Sequence, residues 1–424
     1  MKETGISRRH FLKTSAAIGA AATLSGFPAI LRGAAPEEIL IGSIQPVTGP
    51  MSDIGLAMQR GNKLGVEEIN ARGGIKSLGG AKLKLLLGDH QAKEEVGRAV
   101  AEQQIQEGAV CLVGPFLSGV AMAIAPLARQ HNVPFVIDVA AVDALTAKGY
   151  KNIFRCFPKT ETIMTHMGRY LDLIIKEKEV SIKRIVVTNT ADSFGRTQGM
   201  AFIKFVKEKK LPFEIVEHIE YSPGVDNLSA QTIQIKAAKP DLLCPITRAW
   251  DAKLLIRALY RRKVELQGII SPGSSGWTEP EFVKGMGKQA NYLMANVPWV
   301  NPLNPKFREA DAQFQKLYPG KYLDTNSGFA YTAILVIADA LERARSTDPD
   351  DLQEALRQTD LKDHPMVGGP VIFDEKGDNI NAQTAMVQVL PDPKIEERVK
   401  VVLPEESAQA PYVFPWKQLW ERSD

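Results

Sequence analysis

Six histidines (positions 10, 90, 131, 166, 218 and 364) and three cysteines (Cys111, Cys156 and Cys244) are the residues best suited to metal or nucleophilic chemistry. Their spacing supports neither. No HExxH or GxSxG motif and no local Cys-His pair occurs, and no two cysteines have metal-ligand spacing. Each cysteine sits in a short apolar stretch (AVCLVG, IFRCFP, DLLCPI), where a free thiol behaves as a small buried hydrophobe. Acidic pairs of the kind a glycosidase needs are present, but nothing singles one out. The sequence therefore calls for no metal and no cofactor. Hydroxyl and guanidinium side chains, among them Thr48, Ser118, Arg248 and Ser274, recur instead in short loops that follow β-rich runs. That placement suits binding better than bond breaking.

Those loops need a scaffold. At 424 residues, 44% hydrophobic and 24% charged, the chain has room for two or three ordinary domains with ample cores. The formal net charge of +3 is concentrated at the start, in Lys2, Arg8, Arg9, Lys13 and Arg32 against Glu3. The remainder is slightly acidic, which excludes a basic surface for nucleic acid.

From residue 37 onward, short β-rich runs alternate with segments of helical period. Strands are read at 39–44, 82–88, 109–114, 134–138, 184–189, 213–221, 241–246 and 267–271. Between them lie helices with apolar faces such as Ala57, Gly61, Leu64, Gly65 and Ile69, or Val96, Ala99 and Val100. Ser52 or Asp53 is expected to cap the first helix and Asp226 a later one. Strands separated by helices require parallel crossovers, the α/β pattern. It restarts after Phe157-Pro158, implying two lobes. A strong helix carries Ala330, Ile334, Ile337, Ala338 and Leu341 on one face. GGPVIFDEKGD (368–378) reads as a strand and turn, and 386–390 and 400–404 as late strands. Residues 413–422 read as a short surface helix.

The stretch SRRHFLK (7–13), followed by an alanine-rich apolar run to Ile30, resembles the twin-arginine signal of bacterial exported proteins. The run is shorter than the ~20 residues of a spanning helix and is interrupted by Gly19, Gly26 and Pro28. Export by the twin-arginine machinery to the periplasm is expected, with cleavage near residues 33–36.

IGSIQPVTGPMSDIG, GVEEINARGGI, AVCLVGPFLSG and GGPVIFDEKGD, in this order over most of residues 38–405, resemble the Leu/Ile/Val-type periplasmic binding proteins, the type I solute receptors of ABC importers. The resemblance implies two doubly wound, Rossmann-like α/β lobes joined by three hinge crossings, near Phe157, Val297 and residue 366. Lobe one would be 37–157 plus 297–365, lobe two 158–296 plus 366–405, with 406–424 a C-terminal tail.

It also implies a ligand held in the cleft, beyond the carboxyl ends of the strands. The ligand-binding positions expected on that basis are Gln45, Thr48, Ile54, Ser118, Ala140, Ala141, Phe194, Arg248, Trp250, Gly273 and Ser274. Ser118 aligns with a serine whose hydroxyl holds a ligand carboxylate in the family, with a plain helix N-cap as the alternative, and Phe194 matches a loop where relatives present an aromatic, either a lid over the ligand or a core phenylalanine. Amino-acid binders of the family place an acid in the loop after the strand that here is 267–271. This chain has Gly273-Ser274-Ser275 there, which argues against α-amino acids, because an unpaired buried ammonium is costly. Arg248 points instead to a small organic acid with an apolar or aromatic body, with Phe194, Trp250 or Trp277 nearby. Its purely structural alternative is an ion pair with Asp251 or Glu279. Asp138 and Asp143 keep an amine, and hence an amino acid, open.

The expected mechanism is capture on lobe one, hinge closure by lobe two, and docking of the monomeric closed form on an ABC permease in the inner membrane. A ligand sensor reporting an amide or acid to a membrane receptor, and an exported enzyme, are the alternatives.

Overall fold

The computed structural model describes residues 36–422; the export signal read at 1–35 lies outside them. The first half runs β1 (Glu38–Gln45), α1 (Ser52–Ala71), β2 (Lys82–Asp89), α2 (Glu94–Gln106), β3 (Cys111–Val113), α3 (Ser118–Gln130), β4 (Phe135–Ile137), the single turn α4 (Ala144–Ala147) and β5 (Ile153–Arg155). The five strands are parallel, in the order β2-β1-β3-β4-β5.

The chain then crosses to α5 (Thr160–Glu177), β6 (Arg184–Thr190), α6 (Ser193–Glu208), β7 (Glu214–Tyr221), α7 (Ser229–Ala238), β8 (Leu242–Ile246), α8 (Ala249–Arg262), β9 (Gly268–Pro272), α9 (Pro280–Met286) and β10 (Met294–Val297). It returns with α10 (Pro305–Leu317), α11 (Thr325–Ala344) and α12 (Pro349–Arg357). It ends in β11 (Ala385–Val389) and β12 (Val399–Leu403). The second sheet has seven strands, β12-β11-β10-β9-β8-β6-β7, with β11 antiparallel to both its neighbours. The fold is thus two doubly wound α/β lobes joined by three crossings.

Strand periodicity builds the cores. Ile185 and Val187 enter one core with α5 and α6, while Val186 between them enters another with α7 to α9. Helix α11 is buried almost all round, as a helix apolar on every side must be. It lies along α1, whose glycines allow the approach: a Cβ on Gly61 would stand 2.2 Å from the Ser327 carbonyl oxygen. Among the described residues, no helix is long and apolar enough to cross a membrane.

Several local expectations are corrected. The inner face of α2 is Gly97, Ala101 and Gln104, and Ala99 is exposed, because Gly97 sits where any Cβ would strike Val120 of α3. Ser52 is already helical, preceded by a 3-10 turn at Gly49–Met51. Asp226 does not cap α7, which begins at Ser229, whose amide donates to Asn227 Oδ1. Residues 368–378 form isolated bridges rather than a strand, and Phe373 stacks on Phe154 of β5 with ring centroids 5.3 Å apart. That contact ties the segment to the first sheet, whereas the resemblance assigns it to lobe two.

Among its described residues the C-terminal tail contains no α-helix. Pro415 interrupts it, and the extended chain buries Phe414, Trp416 and Leu419 against lobe two. Trp416 Nε1 donates to the Leu266 carbonyl at 2.8 Å, and the Arg422 guanidinium stacks 4.3 Å from the Trp416 ring.

Candidate functional site

The carboxyl ends of strands from both sheets converge on one cavity, with about 560 Å³ of empty space, part of it open to solvent. The loop after β3 contributes Phe116, and the loop after β4 contributes Val139 and Ala141. Phe157 and Val297-Pro298 come from the crossings, and Thr325 and Asn326 from the start of α11. From the second sheet come Phe194 on α6, Thr247-Arg248 after β8, and Gly273-Ser274-Ser275 with Glu279 after β9.

The first-lobe wall is mostly apolar and tightly held. The Ala141 carbonyl accepts from Arg155 Nη1 at 2.8 Å and from the Thr160 hydroxyl at 3.1 Å. Arg155 is fully buried and ion-paired with Asp378 at 2.6 Å. At the α11 end, the Thr325 hydroxyl donates to the Pro298 carbonyl.

The second-lobe wall is polar. Gly273 has φ +91°, a conformation glycine adopts without strain, and a Cβ there would stand 2.8 Å from Ile163. The turn it allows brings Ser274 Oγ to the Thr247 amide at 2.9 Å. Arg248 is 5% exposed. Its Nη1 donates to Asp192 Oδ2 at 2.8 Å, and its guanidinium lies 5.2 Å from the Phe194 ring centroid, a cation–π contact. Its Nε has no hydrogen-bond partner among the described residues. The same holds for Thr247 Oγ1, Gln198 Oε1 and Glu279 Oε1, all buried. Buried polar atoms in folded proteins are rarely left unpaired, so such a cluster in a cavity marks where a ligand or water completes the set.

Glu279 also lines the cavity, outside the positions expected from the sequence. Burial pushes its carboxyl up to about 8, aided by the nearby charge of Asp324 and opposed by Arg248. The loop after β9 does carry an acid: Glu279 reaches the cavity four to six residues beyond Gly273-Ser274-Ser275, so the lack of an acid at those three positions does not argue against an amino acid. The signal was the dipeptide Glu279-Pro280, a proline at the first position of a short helix directly after that loop.

Of the expected positions, Ala141, Phe194, Arg248, Gly273 and Ser274 meet at the cavity. The others are elsewhere. Gln45 is buried and donates to Asp138 Oδ2 at 2.6 Å; the Thr48 hydroxyl is engaged by Asp89. Ile54 and Ala140 are buried outside the lining, and Trp250 is half-buried outside it. Ser118 is buried as the first residue of α3, with Leu117 in the capping position. Trp277 is a core residue of lobe two, its Nε1 donating to the Met294 carbonyl. Asp143 accepts from the Thr160 amide, and the buried Asp138 carboxyl, pushed up to about 7 by desolvation, faces Gln45. The ion-pair partner of Arg248 is Asp192; Asp251 accepts from its backbone amide at 2.6 Å. Among the described residues, no cluster of His, Cys, Asp and Glu could hold a metal ion.

A cleft between two doubly wound lobes, at the carboxyl ends of their strands, is the geometry of a solute receptor. The periplasmic binding protein family model matches residues 38–393, and the twin-arginine signal model matches residues 5–25. The chain belongs to the periplasmic binding protein family. This binding protein is exported to the periplasm by its twin-arginine signal. It is 27% identical over 346 residues, 81% of this chain and 89% of the relative, to the Leu/Ile/Val-binding protein BraC3 of Rhizobium johnstonii. Its fold matches that of the branched-chain amino acid transporter substrate-binding protein LivJ of Streptococcus pneumoniae in complex with isoleucine. That match has TM-score 0.72 and 20% identity, and covers 87% of this chain and 100% of that one. A solute-binding protein from R. palustris in complex with benzoate matches with TM-score 0.71 and 20% identity, over 83% of this chain and 93% of that one.

Proposed function

We propose that this binding protein captures a small zwitterion, an amino acid or close relative with an apolar body, and delivers it to an ABC permease of the inner membrane. The observation that carries the reading is one cavity in which a buried donor, Arg248 Nε, and a buried acceptor, Glu279 Oε1, both lack partners. A ligand carboxylate completes the first and an ammonium the second. Phe116, Val139, Ala141 and Phe157 suit the remaining apolar body. Names of relatives that bind Leu, Ile and Val support the same class. The polar head would rest on lobe two, and lobe one would close over the apolar end, with the lobes divided as the resemblance implies. Closure needs only tighter binding to the closed state than to the open one.

A plain carboxylate such as benzoate is the second reading. It is favoured by the Arg248 guanidinium lying over Phe194, which suits an anionic ligand with a flat body.

A thermal-shift screen of branched and aromatic amino acids, aromatic carboxylates, short aliphatic acids and amides tests both. Free ligand at a hundred times its dissociation constant is expected to stabilise the protein by about 2.7 kcal/mol. Amino-acid hits that weaken in Glu279→Gln support the first reading. Carboxylate hits indifferent to that change support the second. Flat melting across the whole panel, with folded protein, overturns both.

A further inference from the structure

The charges around Glu279 are lopsided. Asp324 at the start of α11, Asp251 on α8 and Asp53 on α1 all act to keep its proton on. The opposing cation, Arg248, is already ion-paired with Asp192 of the α6 cap. A second cation, Arg60 on α1, acts on Asp324. Asp324 is itself committed to the Ser327 amide and hydroxyl, and Asp251 to the Tyr221 hydroxyl and two backbone amides. Neither has a free cation to lend. An ionised Glu279 in the empty cleft would be a half-buried anion among anions, with its buried Oε1 receiving no hydrogen bond.

Building on the amino-acid reading above, we infer that Glu279 is a neutral acid in the empty receptor and that capture of a ligand ammonium expels its proton to solvent. The balance is simple: the carboxylic acid and the free ammonium ion become a carboxylate–ammonium pair plus one released proton. The ammonium supplies the positive charge that the protein withholds, so the site discriminates by charge. A cationic head is rewarded, and an uncharged isostere meets a protonated acid with nothing to trade. Burial places the exchange at about pH 8, where the empty-site carboxyl ionises. Below that pH, one proton is released for each ligand bound. Affinity for an ammonium ligand therefore rises about tenfold from pH 6 to pH 7 by linkage. It levels off once the empty site has ionised.

The direct test needs no ligand. In purified protein carrying carbon-13 at the glutamate carboxyls, NMR titration from pH 5 to pH 10 is expected to show one glutamate with its midpoint near 8. The signal should vanish in Glu279→Gln and move to the aspartate region in Glu279→Asp, whichever variant folds better. If every glutamate finishes titrating below pH 6, the inference is overturned, while the amino-acid reading still stands on its screen. In the second arm, saturating L-leucine is added at pH 7 in weakly buffered solution. Binding with release of about one proton per protein is the expected result, and binding without release overturns the inference. If leucine does not bind at all, the amino-acid reading is damaged, and the NMR arm alone decides whether the proton is there.

Discussion

The two walls of the cleft are built from the same kind of element, strand ends and helix starts, yet they differ in what they leave undone. On the first-lobe wall the Ala141 carbonyl is occupied by Arg155 and Thr160, and most of what faces the cavity is apolar, with Thr325 and Asn326 at the α11 end. On the second-lobe wall Thr247, Arg248 and Glu279 each keep a buried polar atom without a partner. One wall is finished by folding; the other is finished by whatever enters. An unmade hydrogen bond on a buried group costs about 1–3 kcal/mol, so the second wall stores affinity that the first cannot.

The contrast is broken hardest by Arg248→Ala. Removing one member of a buried charge pair costs about 2–5 kcal/mol, and here it also strips the cavity of its donor. Carboxylate binding, followed by calorimetry, is expected to fall by roughly a hundredfold or more. An unchanged affinity would remove Arg248 from the site.

Next in size is the pH response of stability at Glu279. In the unfolded chain a glutamate ionises near 4.5, whereas in the fold it ionises at about 8. The folded state therefore holds the extra proton between those values, and stability from this group falls as pH rises through the window. The melting temperature of wild type relative to Glu279→Gln is expected to drop steadily from pH 5 to pH 8. A flat difference would mean that the carboxyl is better solvated than its surroundings indicate. Asp138 follows the same sign over a lower window, since burial raises it only to about 7.

Phe194→Ala should cost less. It removes a cation–π contact and part of the apolar cover over Arg248, together about 1–2 kcal/mol, or roughly tenfold in affinity. The smallest effect is expected from Ser118→Ala, which lies outside the cavity lining; affinity should stay within about twofold. A tenfold loss would move the polar head of the ligand back toward lobe one and dissolve the contrast.

Much of this was legible in the residues. Alternating runs such as RIVVTN and DLLCPI announce parallel strands whose successive side chains enter different cores, and the restart after Pro158 marks the first crossing. The loops after those strands were the right places to look, because strand ends in such sheets open onto the cleft. The particular residues were harder to read. Gln45 and Thr48 follow a strand as a ligand-binding residue would, but Asp138 and Asp89 claim them, and both partners lie more than forty residues away. Glu279 escaped because it lies six residues beyond Gly273, past the stretch where an acid was sought, yet it still lines the cavity. The tail defeated the helical period for a similar reason: Trp416 and Trp420 are spaced for a helix, yet Trp416 finds its partner at Leu266 across lobe two.

That tail has a practical use. Trp416 is pinned where β9 begins, and the opposite end of β9 runs into the cleft at Gly273, about 20 Å away along the strand. A fluorophore attached at the exposed Lys417 would therefore travel with lobe two without approaching the solute. Paired with a second dye on an exposed loop of lobe one, it would report the proposed closure on capture as a change in energy transfer, visible one molecule at a time.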